Sequence, residues 1–320
     1  MENNYGLALF ILPVYFDFLA KFKCIKLDSI SVGNFLNRLT RASFTNLSKL
    51  MYPDLGLKKS KVIKYYIEIA PKILKFLENR PLVTTRFPNG INQEGFYGKD
   101  APKGTPSWVE KFRKYSITAN RNLDYIICNN LDTLLWLANL AAIELHIPLS
   151  KKDAVDKPDM IFFDVDPEPP ADIEDAIEVA KLLKEILDEL SLTSFIKTSG
   201  KKGFHILVPV LPNKTYKETR TFVHQIGKHL AKENQLVVSE FSRSQEPGTI
   251  YLDYGQNSQG KTMICPYSLR ATKKATVSTP IPWNLLEKGL KPETFNIFSV
   301  VDIKDKPWER FWELDQQFEV

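Results

Sequence analysis

The chain has 320 residues, of which 43% are hydrophobic and 25% are charged, and its net charge is +5. This length and composition exclude disordered, collagen-like and disulfide-scaffold proteins, and they predict one large two-lobed domain or two domains. A net charge this small does not by itself point to a nucleic-acid partner.

Cysteine usage and the N-terminal segment bear on cellular location. The three cysteines (Cys24, Cys128 and Cys265) are far apart and have no CxxC or zinc-binding spacing. They predict a reduced, cytoplasmic chain without structural zinc. Residues 7–22 are apolar but include a proline and an aspartate and lack a basic flank, so no secretory signal or membrane span is expected. We expect residues 1–45 to form a packed N-terminal extension, whose role the sequence does not indicate.

Charge is distributed unevenly along the chain. Residues 49–114 hold 14 basic and 6 acidic residues, whereas residues 151–195 hold 5 basic and 13 acidic residues. The basic stretch is interleaved with aromatic and turn residues, as in Arg86-Phe87-Pro88-Asn89-Gly90 and Phe96-Tyr97-Gly98-Lys99. Such a mixture supplies charge for phosphates and flat faces for base stacking, which favours a nucleic-acid surface. Two ordinary solvated surfaces are the alternative.

The elements of a first lobe, residues 46–150, follow from periodicity and turn signals. A helix is predicted over residues 60–79, capped by Ser60 and kinked or broken at Pro71. Short strands follow at residues 81–87, 93–97 and 122–128. A strongly apolar helix is then predicted over residues 131–146, ending at His146.

A second lobe, residues 151–320, has the predicted order β-α-β-β-α-β. Its strands are predicted at residues 160–166, 193–198, 204–210, 236–238 and 249–253, and its helices at residues 172–190 and 216–234. This is the ferredoxin-like arrangement that RNA-recognition folds also use, and it makes the fold class α+β. Its first and third strands are neighbours at the sheet centre, so Asp164 and Asp166 are expected to lie beside His205.

Two aspartates end the first strand of this lobe. Asp164 and Asp166 lie on one face, roughly 7 Å apart along the strand. Their mutual repulsion calls for a proton or a cation between them. A third carboxylate, Asp253, ends a similar strand, and three such groups can hold two divalent ions for nucleophile activation. The alternative is that the acidic pair is simply a strand exit before Pro167.

The segment Ser199-Gly200-Lys201-Lys202-Gly203 joins the next two strands. Its glycines allow close backbone approach to a ligand, and Ser199, Lys202 and His205 offer donors to phosphate oxygens. Farther on, Arg270 has the planar fork that binds phosphate oxygens in pairs. The alternatives are an exposed hairpin, a core histidine and a surface salt bridge.

Several ordered motifs carry a family resemblance from about Leu47 to the C-terminus. They are Phe163-Asp164-Val165-Asp166-Pro167, Thr198-Ser199-Gly200-x-Lys202-Gly203-x-His205, Leu252-Asp253-Tyr254 and Ser268-Leu269-Arg270-Ala271. Together they closely resemble the polymerase domain of bacterial DNA ligase D, in the end-joining branch of the archaeo-eukaryotic primase superfamily. The resemblance implies a primase-like catalytic core and template-directed nucleotidyl transfer at DNA ends during non-homologous end joining, with ribonucleotides preferred.

The resemblance also implies roles for individual residues. The metal ligands for two Mn²⁺ or Mg²⁺ ions would be Asp164, Asp166 and Asp253. The residues that hold the nucleotide would be Ser199, Lys202, His205, Gln256, Arg270 and His146. The DNA-contacting residues would be Lys49 and Lys59 on a downstream 5′-phosphate and Phe96 and Tyr97 on template bases, with Lys99 beside them.

Some features depart from the family pattern. Residues 1–45 have no counterpart, and the basic stretch around Arg243 is thin, which leaves the role of that arginine open. No Lys-x-Asp-Gly ligase motif occurs, so the chain looks like a stand-alone polymerase acting on gapped or overhanging DNA with a separate ligase and a Ku-like partner. The competing interpretations are a two-metal nuclease or phosphatase and a non-catalytic nucleic-acid-binding module.

Overall fold

A computed structural model describes residues 40–116, 119–244 and 246–320. The helices of this part are α1 (Lys59–Leu77), α2 (Leu131–Asn139), α3 (Ile173–Glu189) and α4 (Tyr216–Glu233). Its strands are β1 (Leu50–Tyr52), β2 (Leu57–Lys58), β3 (Pro81–Arg86), β4 (Phe96–Gly98), β5 (Lys111–Ser116), β6 (Arg121–Ile127), β7 (Ala142–Ile147), β8 (Met160–Pro167), β9 (Phe195–Thr198), β10 (Phe204–Pro209), β11 (Val237–Val238), β12 (Ile250–Leu252), β13 (Met263–Ile264) and β14 (Pro280–Ile281).

The first sheet has the strand order β11-β12-β8-β10-β9-β14. Strand β8 lies inside it and pairs antiparallel with β12 on one side and β10 on the other. Helices α3 and α4 follow β8 and β10 in the chain and both pack on β8. This confirms the predicted β-α-β-β-α-β order with its first and third strands adjacent.

Local signals set the beginnings of the two helices that cover this sheet. Asp172 caps α3 and exchanges hydrogen bonds with Asp175 in a capping box. Thr215 and Glu218 form the same motif at the start of α4. Each box satisfies backbone N–H groups that the first helical turn leaves without partners. The predicted boundaries of both helices are correct to within one residue.

The second sheet has the order β13-β7-β3-β6-β5, with β4 also paired to β3. Helix α1 lies beside α2. The predicted cap at Ser60 is wrong, because α1 begins at Lys59 and Ser60 lies inside it. The predicted break at Pro71 is also absent. The apolar residues on the inner face of this helix, including Ile69 and Ile73, are fully buried, and such packing outweighs the loss of one N–H donor.

The predicted helix over residues 131–146 is half wrong. Helix α2 ends at Asn139, Ala141 adopts a left-handed conformation (φ 60°), and the chain continues as β7, which pairs with β3 and β13. A continuous apolar run fits a buried helix and a buried central strand equally well, so periodicity alone does not separate them. His146 therefore stands on a strand and not at a helix end.

The two predicted lobes share a sheet and a core. Strand β13, from the second lobe, pairs with β7 of the first. Near the C-terminus, Trp308 and Phe311 pack on Phe76 of α1 and Phe195 of β9. Side-chain packing therefore continues across residue 150. The division into lobes at residues 46–150 and 151–320 stays a prediction.

Most of the predicted N-terminal extension, residues 1–45, lies outside the described residues, as does Cys24. Cys128 and Cys265 are buried free thiols. Within the described ranges, no helix is both long enough and apolar enough to cross a membrane.

Candidate active site

Strands β8 and β10 bring the first predicted site residues together. In their antiparallel register Asp164 pairs with His205, and Asp166 lies two residues farther along the same face. The distance from His205 Nε2 to Asp164 Oδ1 is 3.3 Å. The prediction that the aspartate pair and His205 are neighbours is therefore confirmed.

Asp164 and Asp166 each have a buried Oδ1 atom without a hydrogen-bond partner among the described residues. At Asp164 the contact from His205 lacks hydrogen-bond geometry. Burial raises the pKa of both carboxyls to about 6, and the charge of Asp164 adds to the rise at Asp166. A buried ionised oxygen without a donor is costly. Hard divalent cations such as Mg²⁺ and Mn²⁺ take oxygen ligands of this kind. The pair therefore fits a divalent-cation site.

The third predicted ligand, Asp253, lies at the end of the strand next to β8 and accepts a hydrogen bond within its own turn. Asp253 directly follows β12, in which Leu252 pairs with Val165 of β8. Its Oδ1 accepts a hydrogen bond from Gly255 N at 2.8 Å and one from the Tyr251 hydroxyl at 3.3 Å. Within the described ranges no group of three or more His, Cys, Asp or Glu side chains is arranged to hold a metal ion. The expected convergence of three carboxylates on metal ions stays a prediction, and Asp253 Oδ1 is engaged within its own turn. Its role as a ligand remains a proposal.

The aspartate pair opens into a small cavity of about 180 Å³. Five of the six predicted nucleotide-holding residues line it: His146, Ser199, His205, Gln256 and Arg270. The structure thus gathers residues from β7, β10, the β9–β10 turn and two later loops at one place. Polar donors and two carboxylates therefore line the same cavity.

Lys202, the sixth predicted nucleotide-holding residue, does not line the cavity. Its Nζ donates to Glu168 Oε1 at 2.8 Å on the exposed side of the hairpin. Its neighbour Lys201 lines the cavity instead. The charge of Lys202 still acts on the aspartate pair, where it opposes the rise in pKa.

Two glycines allow the β9–β10 turn to approach the site. Gly200 has a positive φ of 76°, which few other residues adopt. At Gly203 a Cβ would lie 2.1 Å from Val165 O and 2.5 Å from Asp166 Oδ1. The backbone amide of Gly203 also donates to Ser199 Oγ at 3.1 Å. The Ser199 hydroxyl therefore holds the turn in shape beside the carboxylates.

Arg270 is buried and held by two acceptors. Its Nε donates to Glu144 Oε1 at 3.0 Å, and its Nη1 donates to the carbonyl of Ser199 at 2.8 Å. Although burial alone would raise it, the neighbouring His146 and the charge of Arg270 bring the pKa of Glu144 down to about 2. Glu144 is not among the predicted site residues. Its signal was a lone carboxylate between Ile143 and Leu145 in an apolar run.

Lys197 is likewise not among the predicted site residues. It is fully buried in β9, and its Nζ lies 2.7 Å from His205 Nδ1 and donates to Ser278 Oγ at 2.5 Å. Burial lowers its pKa well below the ordinary lysine value. The Ser278 hydroxyl donates in turn to the carbonyl of Thr198. These contacts hold the Nδ1 side of the His205 ring. The sequence feature that could have pointed to them is a lysine within a predicted buried strand.

A larger cavity of about 610 Å³ adjoins the small one, and both include Gln256 and Thr262 in their walls. Its cationic lining residues are Lys99, Lys114 and Lys261, and its aromatic ones are Tyr97, Tyr115, Tyr125 and Tyr216. Among the residues that the structure describes, no aspartate or glutamate lines it. Lysines interleaved with aromatic rings are typical of surfaces that bind single-stranded nucleic acid.

The predicted aromatic pair lies on β4, and its Tyr97 lines the larger cavity. Phe96 and Tyr97 on β4 are 57% and 56% exposed, unusual values for large aromatic side chains. The Tyr97 ring contacts His146 edge-on, with centroids 5.8 Å apart, and its hydroxyl lies 3.2 Å from Thr262 Oγ1. The Tyr97 ring is therefore placed to contact a ligand that enters the site, whereas Phe96 is exposed but lines neither cavity.

The two lysines predicted to meet a 5′-phosphate differ in their surroundings. Lys49 is partly exposed, and its Nζ donates to Asn89 Oδ1 at 2.9 Å. Lys59 is buried, and its Nζ donates to the carbonyls of Thr45 at 3.1 Å and Asn139 at 2.8 Å. Burial, together with the charge of Lys49, lowers the pKa of Lys59. The structure thus gives Lys59 an internal role that the sequence analysis did not foresee.

We expect Lys59→Met to lower the free energy of unfolding by about 2 kcal/mol, because two partly buried carbonyls lose a charged donor. Urea denaturation of the two proteins measures this difference. An unchanged midpoint, combined with loss of any preference for 5′-phosphorylated DNA, would instead return Lys59 to the DNA-contacting set.

Comparisons with known proteins agree on one family. The family described as LigD, primase-polymerase domain, matches residues 58–310. The bifunctional non-homologous end joining protein LigD of Bacillus subtilis is 34% identical over 264 residues, which cover 82% of this chain and 42% of that protein. The multifunctional non-homologous end joining protein LigD of Mycolicibacterium smegmatis is 31% identical over 253 residues, which cover 78% of this chain and 33% of that protein.

A solved structure has the same fold. The polymerase domain from Mycobacterium tuberculosis ligase D in complex with DNA matches with a TM-score of 0.76 at 27% identity, covering 82% of this chain and 93% of that one. This confirms the predicted α+β, primase-like fold. The chain spans less than half the length of the curated relatives it matches. The family match takes in both sheets, the aspartate pair and Arg270, and the chain therefore belongs to the LigD primase-polymerase domain family.

Proposed function

We propose that the protein is a template-directed nucleotidyltransferase that extends DNA ends and fills gaps in non-homologous end joining, preferring ribonucleotides. The observation that carries this proposal is the Asp164/Asp166 pair, whose buried Oδ1 atoms have no hydrogen-bond partner in the described ranges. The pair faces a cavity that also holds Arg270, Ser199 and His205. Family membership supports the same chemistry.

The metal requirement follows from the donor set. Asp164 and Asp166 would hold two Mn²⁺ or Mg²⁺ ions, with Asp253 as an additional ligand. When bound, such ions supply Lewis-acid activation of a hydroxyl nucleophile and neutralise phosphate charge. The protein contributes positioning and electrostatics, as is general for phosphoryl transfer.

The protein's own residues would bind the nucleotide around these carboxylates. Arg270 keeps N–H donors beyond those used on Glu144 and the Ser199 carbonyl, and it would direct them at the triphosphate. His205 lies beside Asp164, where its Nε2 is placed to contact the same phosphates. Gln256 lies between the small and large cavities and would contact the nucleotide where the two meet.

DNA would occupy the larger cavity and the basic surface around it. The lysines there suit the phosphate backbone, and exposed Phe96 and Tyr97 offer stacking faces for template bases. Binding of this kind gives affinity without sequence preference. A separate DNA ligase and a Ku-like end-binding protein would complete the repair reaction.

Primer extension tests the proposed function. The assay uses a gapped duplex with a 5′-phosphate, Mn²⁺ or Mg²⁺, and ribonucleotides or deoxyribonucleotides in parallel. We expect template-dependent addition that requires the metal and is faster with ribonucleotides. Strand cleavage without addition would support a nuclease instead. DNA binding without any product would leave a non-catalytic module.

Lys49→Ala is expected to weaken the preference for gapped DNA carrying a 5′-phosphate by about tenfold, because one charged donor to the phosphate is removed. Competition binding with phosphorylated and unphosphorylated duplexes measures the preference. Lys217→Ala removes the same charge from an exposed position on α4 and serves as the control. An unchanged preference in the Lys49 variant would clear that lysine of this role.

A further inference from the structure

Glu144 joins the two sheets at the edge of the small cavity. It lies on β7 of the second sheet, and its side chain is buried. Its Oε1 accepts hydrogen bonds from Arg270 Nε at 3.0 Å and from the Ala271 backbone N–H at 3.2 Å. One carboxylate oxygen therefore fixes both the side chain of Arg270 and the backbone next to it.

The guanidinium of Arg270 is held from the first sheet as well. Its Nη1 donates to the Ser199 carbonyl, in the turn between β9 and β10, at 2.8 Å. A guanidinium has five N–H donors in one plane. With Nε and Nη1 held, the orientation of that plane is set, and Arg270 also lines the cavity beside the aspartate pair.

The second oxygen of Glu144 reaches another cavity residue. Its Oε2 lies 3.4 Å from His146 Nε2, and His146 is two residues farther along the same face of β7. Both His146 and Arg270 line the small cavity, whereas Glu144 does not. Glu144 thus touches two predicted nucleotide-holding residues without facing the ligand itself.

We propose that Glu144 is a positioning residue that sets the guanidinium plane of Arg270 for the terminal phosphates of a nucleoside triphosphate. The inference rests on the proposed function, in which Arg270 holds the triphosphate. A charged side chain held by two fixed acceptors needs little reorganisation when a phosphate arrives. Without Glu144, Arg270 keeps its charge but loses its fixed orientation. We therefore expect weaker binding of the terminal phosphates and unchanged binding of the base.

A double-mutant cycle on the full chain tests this inference. The affinities of ATP and AMP, each with Mg²⁺, are measured by isothermal titration for the wild type, Glu144→Ala, Arg270→Ala and the double variant. We expect Glu144→Ala to weaken ATP binding by about tenfold and AMP binding by less than about twofold, since AMP lacks the terminal phosphates that Arg270 would contact. The double variant should bind ATP no more weakly than Arg270→Ala alone, because Glu144 acts through the arginine.

Two further variants separate positioning from a merely structural role. Glu144→Gln keeps an acceptor oxygen at the same place and should restore ATP affinity to within about threefold of wild type. Glu144→Asp keeps the charge but withdraws it by one methylene, and it should lose ATP affinity even if Glu144→Ala fails to fold. Additive losses in the cycle, equal losses for ATP and AMP, or wild-type ATP binding by Glu144→Asp would overturn the inference.

Failure of the inference can be told from failure of the proposed function. If Arg270→Ala weakens ATP binding while Glu144→Ala does not, only the positioning role proposed for Glu144 is contradicted. If Arg270→Ala leaves ATP affinity unchanged, the triphosphate role of Arg270 in the proposed function fails, and the inference fails with it.

Discussion

Asp164→Asn is expected to reduce primer extension by at least about a thousandfold while leaving DNA-end binding intact. The affinity of an oxygen-ligand site for a cation depends on the charge of its ligands. The bound ions in turn lower the activation barrier by several kcal/mol, so losing them slows the reaction. We do not expect the substitution to lower the stability of the folded protein. An amide of the same shape removes the repulsion between two neighbouring buried carboxylates. We therefore expect the metal-free variant to unfold at the same temperature as the wild type or a higher one.

Extension rates, duplex binding and thermal unfolding are measured on the same preparations. Asp188→Asn, on the exposed side of α3, removes the same charge away from the cavity and should leave all three unchanged. An Asp164 variant that extends primers at the wild-type rate would contradict the metal role of this carboxylate. A variant that loses activity together with its fold would contradict the expectation that the pair is destabilising without metal.

Gly203→Ala is expected to lower the free energy of unfolding by about 3 kcal/mol, the upper range for overpacking a rigid site. The added Cβ would lie 2.1 Å from the carbonyl oxygen of Val165 and 3.0 Å from Asp166 Cα, and both are backbone atoms of the central strand. The β9–β10 turn would have to move away from β8. Because Ser199 and His205 flank this turn, nucleotide binding should fall with stability.

Urea denaturation and ATP affinity measure the two effects. Gly98→Ala is the matched control, because a Cβ there meets no atom within 4 Å, and it should change stability by less than about 0.5 kcal/mol. Equal stabilities of the two alanine variants would show that the close approach of the turn to β8 is not essential.

The sequence was most informative where short-range signals agree with the fold. Alternation placed Asp164 and Asp166 on one face, and the β-α-β-β-α-β order brought His205 beside them, as observed. The region over residues 131–146 failed because an apolar run does not distinguish a buried helix from a central strand. The left-handed Ala141 that separates α2 from β7 carries no glycine or asparagine signal in the sequence.

The direction in which a side chain points was the second feature that the sequence could not predict. Lys201 and Lys202 are adjacent and identical in type, and only the turn geometry decides that Lys201 lines the cavity while Lys202 pairs with Glu168. Asp253 was placed on the correct strand end, but its hydrogen bond from Gly255 was not predicted. Contacts of this kind depend on tertiary detail that residue spacing does not contain.

The most direct test of the cation site is anomalous diffraction from crystals soaked with MnCl₂ and a nucleoside triphosphate. We predict manganese peaks bonded to both Asp164 and Asp166, with the triphosphate against Arg270 and the Asp253 carboxylate rotated toward the ions. Nucleotide bound at Arg270 with no manganese at the aspartate pair, or manganese bound only at other sites, would contradict the account.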